Sequence, residues 1–325
     1  MARVAEQKIK LLVLYDILLR HTDEEQTMTT HDLAAALEKY GISATRKTIY
    51  KDIETLNRYG FEVLCDKSRS NHYYVIDRKF ERPEIQILLQ AIGAAKFLSE
   101  QKASALSQKV AELLGDSQRA RLIGTVAETG SKNQNEHIYY NIDAVTSAIL
   151  ESKKLSFLYS DIDVKGQRIY RKEKERYIVN PLGMIYSGDY FYLVCYHEKY
   201  KATTNYRIDK MDNVCVEKDK ITISKEYEHF DLNEYKRETF SMYAGEKTEI
   251  TLFFPEEYAG IIRDRFGEDL NIVSYNDGYL LHTVVRISKT FFAWLTSFEG
   301  RIKIISPGSV KDSFSSFIQK IEKSL

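Results

Sequence analysis

Thr45-Arg46-Lys47-Thr48-Ile49-Tyr50-Lys51-Asp52-Ile53-Glu54-Thr55-Leu56-Asn57-Arg58-Tyr59-Gly60 carries two patterns at once. Ile49, Ile53 and Leu56 recur at the i, i+4, i+7 spacing of one helix face, Thr45 is a residue type that caps a helix, and Gly60 is one that stops it. With Ile49 inward, Lys47, Lys51 and Arg58 turn to the opposite side, flanked by Thr48 and Tyr50, and Arg46 projects from the first turn. Two helices are expected upstream. One spans residues 7–20, with Ile9, Leu12, Val13, Asp16, Ile17 and Leu19 at helical spacing; the other starts after Thr29 or Thr30, carries Leu33, Ala36, Leu37 and Tyr40, and stops at Gly41. Downstream the period changes to two, so residues 61–65 and 72–76 read as strands joined by a polar loop, 66–71.

Helix, turn, helix and hairpin is the order of a winged helix-turn-helix, in which the second helix of the pair enters the major groove. Residues 41–79 hold eight basic side chains (Arg46, Lys47, Lys51, Arg58, Lys67, Arg69, Arg78, Lys79) and five acidic ones, a local +3 in a chain whose 47 Lys+Arg balance 47 Asp+Glu. A chain without net charge offers nucleic acid no global field, so contact must rest on such a patch. The expected DNA contacts are Thr45, Arg46, Lys47, Thr48, Tyr50, Lys51 and Arg58, with Lys67 and Arg69 from the wing. Asp52, in the middle of this helix, is expected to pair with a cation of the protein itself rather than to read a base.

At 325 residues, 43% apolar and 29% charged, the chain is long enough for two or three domains and excludes disorder. Cys65, Cys195 and Cys215 are too scattered for a disulfide framework or a zinc site and are expected as small buried apolar residues. The first residues lack the apolar core of a signal peptide, and no apolar run near them approaches a membrane span, so a soluble cytoplasmic protein with no membrane partner is expected. Pro83 opens a helical stretch to Gly115, followed by a less regular polar connector through Asn135. A helix at 140–150 precedes short strands at 155–159, 176–179, 183–186, 190–195, 205–208 and 214–217, the spacing of a small barrel or curled sheet. The last hundred residues read β-α-β-β-α-β with a closing helix: strands at 249–254, 271–275, 280–287 and 301–305, helices from near Pro255 and Lys289, Asn276-Asp277-Gly278 as a hairpin turn, and Pro307 opening the final helix. A ferredoxin-like unit satisfies that order.

The barrel region has its own chemistry. Between Lys165 and Arg176 six basic residues face two acids over twelve positions, a run that also fits a solvated hairpin loop. Tyr159, Tyr192 and Tyr206 offer faces for stacking, which contributes roughly 1–3 kcal/mol per base, and two arginines on strands of one small barrel, Arg176 and Arg207, need an acidic partner or an anion. Phe191 is expected in the barrel core. These residues describe a nucleotide-type anion pocket.

Thr48-Ile49-Tyr50-Lys51-Asp52-Ile53-Glu54-Thr55-Leu56 followed by Tyr59-Gly60-Phe61 resembles the recognition helix and wing entry of bacterial regulators that carry a WYL domain. Arg176-Tyr177-Ile178-Val179-Asn180-Pro181-Leu182-Gly183, Tyr190-Phe191-Tyr192-Leu193-Val194-Cys195-Tyr196 and Tyr206-Arg207-Ile208-Asp209-Lys210 resemble that family's three linked signatures, in order. Phe191 stands where the name-giving Trp would be and Lys210 where Arg is usual; stacking and charge survive, an indole N–H donor and a bidentate guanidinium do not. Phe292-Ala293-Trp294-Leu295 and residues 301–307 resemble the extension that follows such a domain.

The resemblance implies an α+β multidomain fold: a winged helix-turn-helix at 1–80, a helical connector at 81–138, an Sm-like WYL β-barrel at 139–220, a linker at 221–247 and a C-terminal ferredoxin-like α+β extension at 248–325. It implies a homodimeric bacterial transcriptional regulator, a repressor, on double-stranded promoter DNA. Its barrel would sense a nucleotide or single-stranded nucleic acid through Tyr159, Arg176, Tyr192, Tyr206, Arg207 and Lys210, with no cofactor. No enzyme is expected: His-Glu-x-x-His, Gly-x-x-x-x-Gly-Lys and Gly-x-Ser-x-Gly are all missing, Gly245-Glu246-Lys247-Thr248 lacks phosphate-loop spacing, and the seven histidines stand apart, with His137, His197 and His229 expected at the surface. Asp161 and Asp163 beside Lys165 are the carboxylates a metal-dependent nucleic-acid-processing enzyme would use, and read better as a loop. That enzyme and a non-DNA interaction scaffold are the alternatives.

Overall fold

The computed structural model describes residues 2–67, 70–123, 135–227 and 229–325. They fall into two compact units, Met1–Gln134 and Asn135–Leu325.

The first unit begins with α1 (Ala2–His21), β1 (Met28–Thr29), α2 (Thr30–Glu38) and α3 (Arg46–Arg58), followed by β2 (Leu64–Lys67) and β3 (Asn71–Tyr74). Thr29 and Thr45 start α2 and α3 by the same device: each hydroxyl accepts the backbone N–H three residues on, and the side chain there, Asp32 or Thr48, accepts the N–H of the cap. Ile49, Ile53 and Leu56 enter a core with Leu14, Ile17, Leu18, Leu33, Leu37 and Val75. α1 departs from expectation. Ile9 and Leu12 are exposed, and its inner stripe is Lys10, Leu14, Ile17 and Leu18; a lysine at the head of the stripe disguised it, and Asp52 of α3 meets that charge, Nζ to Oδ2 2.7 Å. Tyr40 lies beyond the end of α2 and is exposed.

The first strand of the hairpin also starts later than expected. Gly60 sits at φ 86°, and the N–H of Phe61 reaches back to the carbonyl of Leu56, so Phe61 finishes the helix instead of opening a strand. Pairing from Leu64↔Tyr74 to Lys67↔Asn71 then takes in both ends of the polar loop 66–71. On its other side β3 pairs with β1, Met28↔Tyr73, in a sheet of order β1-β3-β2; a two-residue strand leaves no periodicity to read. The unit continues with α4 (Arg82–Ala94), α5 (Glu100–Ala111) and α6 (Asp116–Ile123). α6 occupies the start of the connector expected to be irregular, and Leu122 supplies its buried contact.

The second unit opens with α7 (Ile138–Leu150) and six strands: β4 (Lys153–Ile162), β5 (Arg168–Tyr170), β6 (Tyr177–Ser187), β7 (Tyr190–His197), β8 (Ala202–Arg207) and β9 (Met211–Lys220). They form a curled antiparallel sheet of order β5-β4-β6-β7-β8, with β9 on the other side of β4. The strands expected at 176–179 and 183–186 are one, β6, irregular at Pro181–Gly183, where proline has no N–H to give the ladder. β5 lies inside the run expected as a solvated loop. α8 (Leu232–Glu238) lies in the stretch 221–247 expected as a linker; Asp231 caps it, and Tyr235 is buried with Ile185, Val194 and Met242.

Last come β10 (Glu246–Phe254), α9 (Ala259–Phe266), β11 (Asn271–Tyr275), β12 (Gly278–Ile287), α10 (Lys289–Thr296), β13 (Lys303–Ser306) and α11 (Gly308–Glu322). The sheet is antiparallel, of order β11-β12-β10-β13. One face, Ile250, Leu252, Phe254, Leu281 and Val285, packs with Ile262, Phe266, Phe291, Leu295 and Val310 of the helices. Of the cysteines only Cys195 is buried; Cys65 is half-buried and Cys215 exposed. No helix among the described residues is long and apolar enough to cross a membrane.

Candidate functional site

On α3 the aliphatic stripe fixes which side chains face outward. Thr45, Arg46, Lys47, Lys51 and Arg58 are exposed, Thr48 and Tyr50 half-buried, and Lys67 is exposed on β2; Arg69 lies outside the described residues. Their chemistry is unequal. The Thr45 and Thr48 side chains are engaged in the cap, where the Thr48 hydroxyl donates to the Thr45 carbonyl at 2.8 Å. Arg46 donates through Nε to the Tyr50 hydroxyl at 2.7 Å and lies 5.4 Å from that ring, while Arg58 pairs with Glu54 at 3.2 Å, both ends open to solvent. Lys47 and Lys51 form no ion pair among the described residues. Asp52, as expected, is turned inward to Lys10, so the outer surface of the helix keeps its positive charge.

In the second unit Phe157, Tyr159, Tyr177 and Tyr206 form one aromatic cluster. Phe157 lies parallel to Tyr177 at 5.6 Å, and Tyr206 meets Phe157, Tyr159 and Tyr177 edge-on at 5.2, 5.2 and 5.4 Å. Burial pushes the Tyr159 hydroxyl up to about 12 and that of Tyr206 well above its usual value, so these two rings are core walls rather than open stacking faces. Tyr177 is the half-buried member. Cations rim the cluster: Arg171 lies 5.3 Å from the Tyr159 ring and Lys172 4.1 Å from that of Tyr177. Asp161 accepts Arg171 Nε at 2.6 Å and Lys210 Nζ at 2.8 Å, which holds its carboxyl below the usual range. Lys172, Glu173 and Lys174 follow one another at φ 49°, 49° and 70°, a left-handed backbone costing roughly 1–2 kcal/mol per residue. The Arg171 N–H on the Tyr159 carbonyl, 2.8 Å, anchors the start of that turn.

The expected ligand residues do not share one face. β7 and β8 pair Tyr192 with Arg207 and Leu193 with Tyr206, and because side chains alternate along a strand, Tyr192 and Arg207 lie opposite Tyr206. Tyr192 packs against the cluster of Tyr235 and Met242. Arg207 lies 3.3 Å from the Tyr190 ring centre and makes two hydrogen bonds, 3.1 and 2.7 Å, to the buried Asp209. Burial opposes the Arg207 charge, but the Asp209 carboxylate outweighs it and raises the pKa. Arg176 gives its donors to Ser156 Oγ at 3.1 and 2.7 Å, the Ser156 carbonyl at 3.1 Å and the Asn213 carbonyl at 2.8 Å, neutral acceptors that tie it to β4 and β9. Both arginines, expected to need an acid or an anion, are thus satisfied within the chain, and Lys210 is committed to Asp161. Phe191, expected as core, is half-buried against Tyr186 at 5.1 Å.

Sequence reasoning missed Tyr177, Arg171, Lys172 and Asp161 as a group. Their signal was the alternation of Phe157 and Tyr159 along one strand, followed by the basic run 165–176. His197, expected at the surface, is half-buried beside the Tyr200 ring at 4.6 Å, and burial with the nearby Lys172 and Lys199 lowers its pKa. Asp163 accepts the N–H groups of Lys165 and Gln167, a turn rather than a ligand set. Among the described residues no three His, Cys, Asp or Glu side chains are grouped to hold a metal.

Residues 140–216 match the WYL domain, which takes in most of α7 and most of the curled sheet; the chain carries that domain. No curated protein matches the chain. Among solved structures it is similar to proteasome accessory factor B/C (PafBC) of Arthrobacter aurescens, at 17% identity over 95% of this chain and 48% of that one, with a TM-score of 0.30. It thus spans about half the length of PafBC. It is also similar to a protein described as CRISPR Cas-related, at 12% identity over 98% of this chain and 84% of that one, with a TM-score of 0.37.

Proposed function

We propose that this chain is a DNA-binding transcriptional regulator whose WYL domain senses an anionic ligand. In this reading α2, α3 and the β2–β3 hairpin are a winged helix-turn-helix, with α3 in the major groove; β4 to β9 are an Sm-like barrel; and β10 to α11 are a ferredoxin-like extension. The observation that carries the reading is the asymmetry of α3. Lys47 and Lys51 stand exposed on its outer side with no ion pair among the described residues, while of its two acids Asp52 is turned away and neutralised by Lys10 and Glu54 is paired with Arg58. Phosphates supply the counter-charge that such a face lacks.

The ligand is a nucleotide or a short single strand. Its recognition shifts from the set expected at first to the half-buried Tyr177 with Lys172 over its ring, since an aromatic edge beside a cation that Asp161 does not hold suits a base and its phosphate. The chain acts as a homodimeric repressor on a pseudo-palindromic site and does no chemistry on the DNA.

The test is fluorescence anisotropy with duplex fragments selected from genomic DNA. Lys47→Ala with Lys51→Ala should weaken binding while the far-ultraviolet circular dichroism stays native; equal affinity would remove α3 from the interface. Divalent metal added to labelled fragments should leave them uncut.

A further inference from the structure

The two outer strands of the C-terminal sheet are finished differently. β13 opens on Lys303, slips register against β10 between Thr251 and Leu252, and runs into Pro307. Charge, irregularity and proline are the means by which edge strands avoid pairing with another chain. β11, Asn271-Ile272-Val273-Ser274-Tyr275, has none of them. It holds no charged residue and no proline, keeps unbroken register with β12 from Asn271↔His282 to Tyr275↔Gly278, and has no described strand on its other side. It also exposes two large side chains on the face of the sheet away from the helices, Val273 at 50% and Tyr275 at 46%.

The register tells which backbone groups are open. Tyr275 and Gly278 flank a two-residue turn, a pair that exchanges both of its hydrogen bonds, so the alternation along an antiparallel ladder directs the N–H and C=O of Ile272 and Ser274 outward. We propose that two copies of the chain join through β11, paired antiparallel to itself about a twofold axis at Val273. That axis sets Ile272 of one copy against Ser274 of the other, so the outward donors and acceptors meet in both directions. Val273 then packs on its own counterpart, and Asn271 lies beside Tyr275. No charge of the strand opposes another, and the contact is isologous, so it closes at two chains. The pairing deepens the dimeric reading above and rests on it only in that two copies meet.

Ser274→Pro removes one outward N–H and leaves the bonds between β11 and β12 in place. The wild-type chain should sediment as a dimer at micromolar concentration and Ser274→Pro as a monomer with a native circular dichroism spectrum. Val273→Cys in a Cys215→Ser background should give a reducible covalent dimer on mild oxidation, because an antiparallel pair without mutual hydrogen bonds brings its Cα atoms to about 4.5 Å, within disulfide reach. A monomeric wild type would assign the edge to a strand of another protein and overturn the pairing. So would a folded Ser274→Pro that remains dimeric, or a Val273→Cys that forms no covalent dimer. If Ser274→Pro fails to fold, the cysteine variant decides alone. No DNA enters these measurements, so loss of operator binding and loss of this pairing are read separately.

Discussion

Lys10 illustrates how one residue can mislead a pattern and still explain the structure. Its side chain is 9% exposed and that of Asp52 15%, with 2.7 Å between the charges. Removing one partner from a buried pair leaves the other charge without water or counter-ion and costs about 3–5 kcal/mol, whereas replacing both by apolar groups is often neutral. Asp52→Ala should therefore destabilise the protein by about 3 kcal/mol in urea unfolding, and Lys10→Met with Asp52→Leu should restore most of it; a single-variant loss below about 1 kcal/mol would mean that water reaches the pair. Tyr159 gives a pH signature. Its folded pKa of about 12 lies above the usual 10.0 of a tyrosine, so its contribution is complete below pH 10 and is lost as pH rises through 12. That difference corresponds to roughly 3 kcal/mol. Stability measured from pH 9 to 12 should fall less steeply in Tyr159→Phe than in the wild type, and parallel curves would show that the buried ring does not resist ionisation.

At the scale of elements the cap of α3 is the clearest case. Thr45 and Thr48 satisfy each other's backbone N–H groups, so Thr45→Ala should cost about 1 kcal/mol of stability by fraying the turn that carries Arg46 and Lys47. In Arg176→Ala the hydrogen bonds that join β6 to β4 and β9 are lost, and the Ser156 and Asn213 acceptors lose their donor. A destabilisation of about 1–3 kcal/mol is expected, with the ligand response unchanged in the fraction that remains folded. Dye-monitored melting with and without nucleotide checks both halves of that statement.

These elements also mark how far the sequence could be read. α2 and α3 were legible because cap, stripe and stop lie within one local window, and so was the β-α-β-β-α-β order of the last hundred residues. β1 and α8 were not: two residues carry no period, and the seven of α8 owe their place to Tyr235 meeting Ile185 and Val194, which are distant in sequence. The site in the curled sheet was half legible. Residue types told that aromatics and cations meet there, but only register told that Tyr192 and Arg207 face away from Tyr206, and only the fold showed Asp209 and Asp161 already holding the cations.

For the whole molecule, 47 basic and 47 acidic side chains cancel, so the salt dependence of DNA binding should report a few local contacts and not a global field. Each lysine that leaves a phosphate should lower the slope of log K against log salt by about 0.9. Lys47→Ala and Lys51→Ala together should thus flatten it by roughly 1.8. Lys311→Ala, which removes another exposed charge from α11 in the other unit, changes net charge by the same amount per substitution and should leave the slope as it was. Titration of one duplex across a salt series separates the cases: equal shifts for Lys311→Ala and Lys47→Ala would make the attraction a property of total charge, while a shift confined to the α3 variants localises the phosphates on that helix.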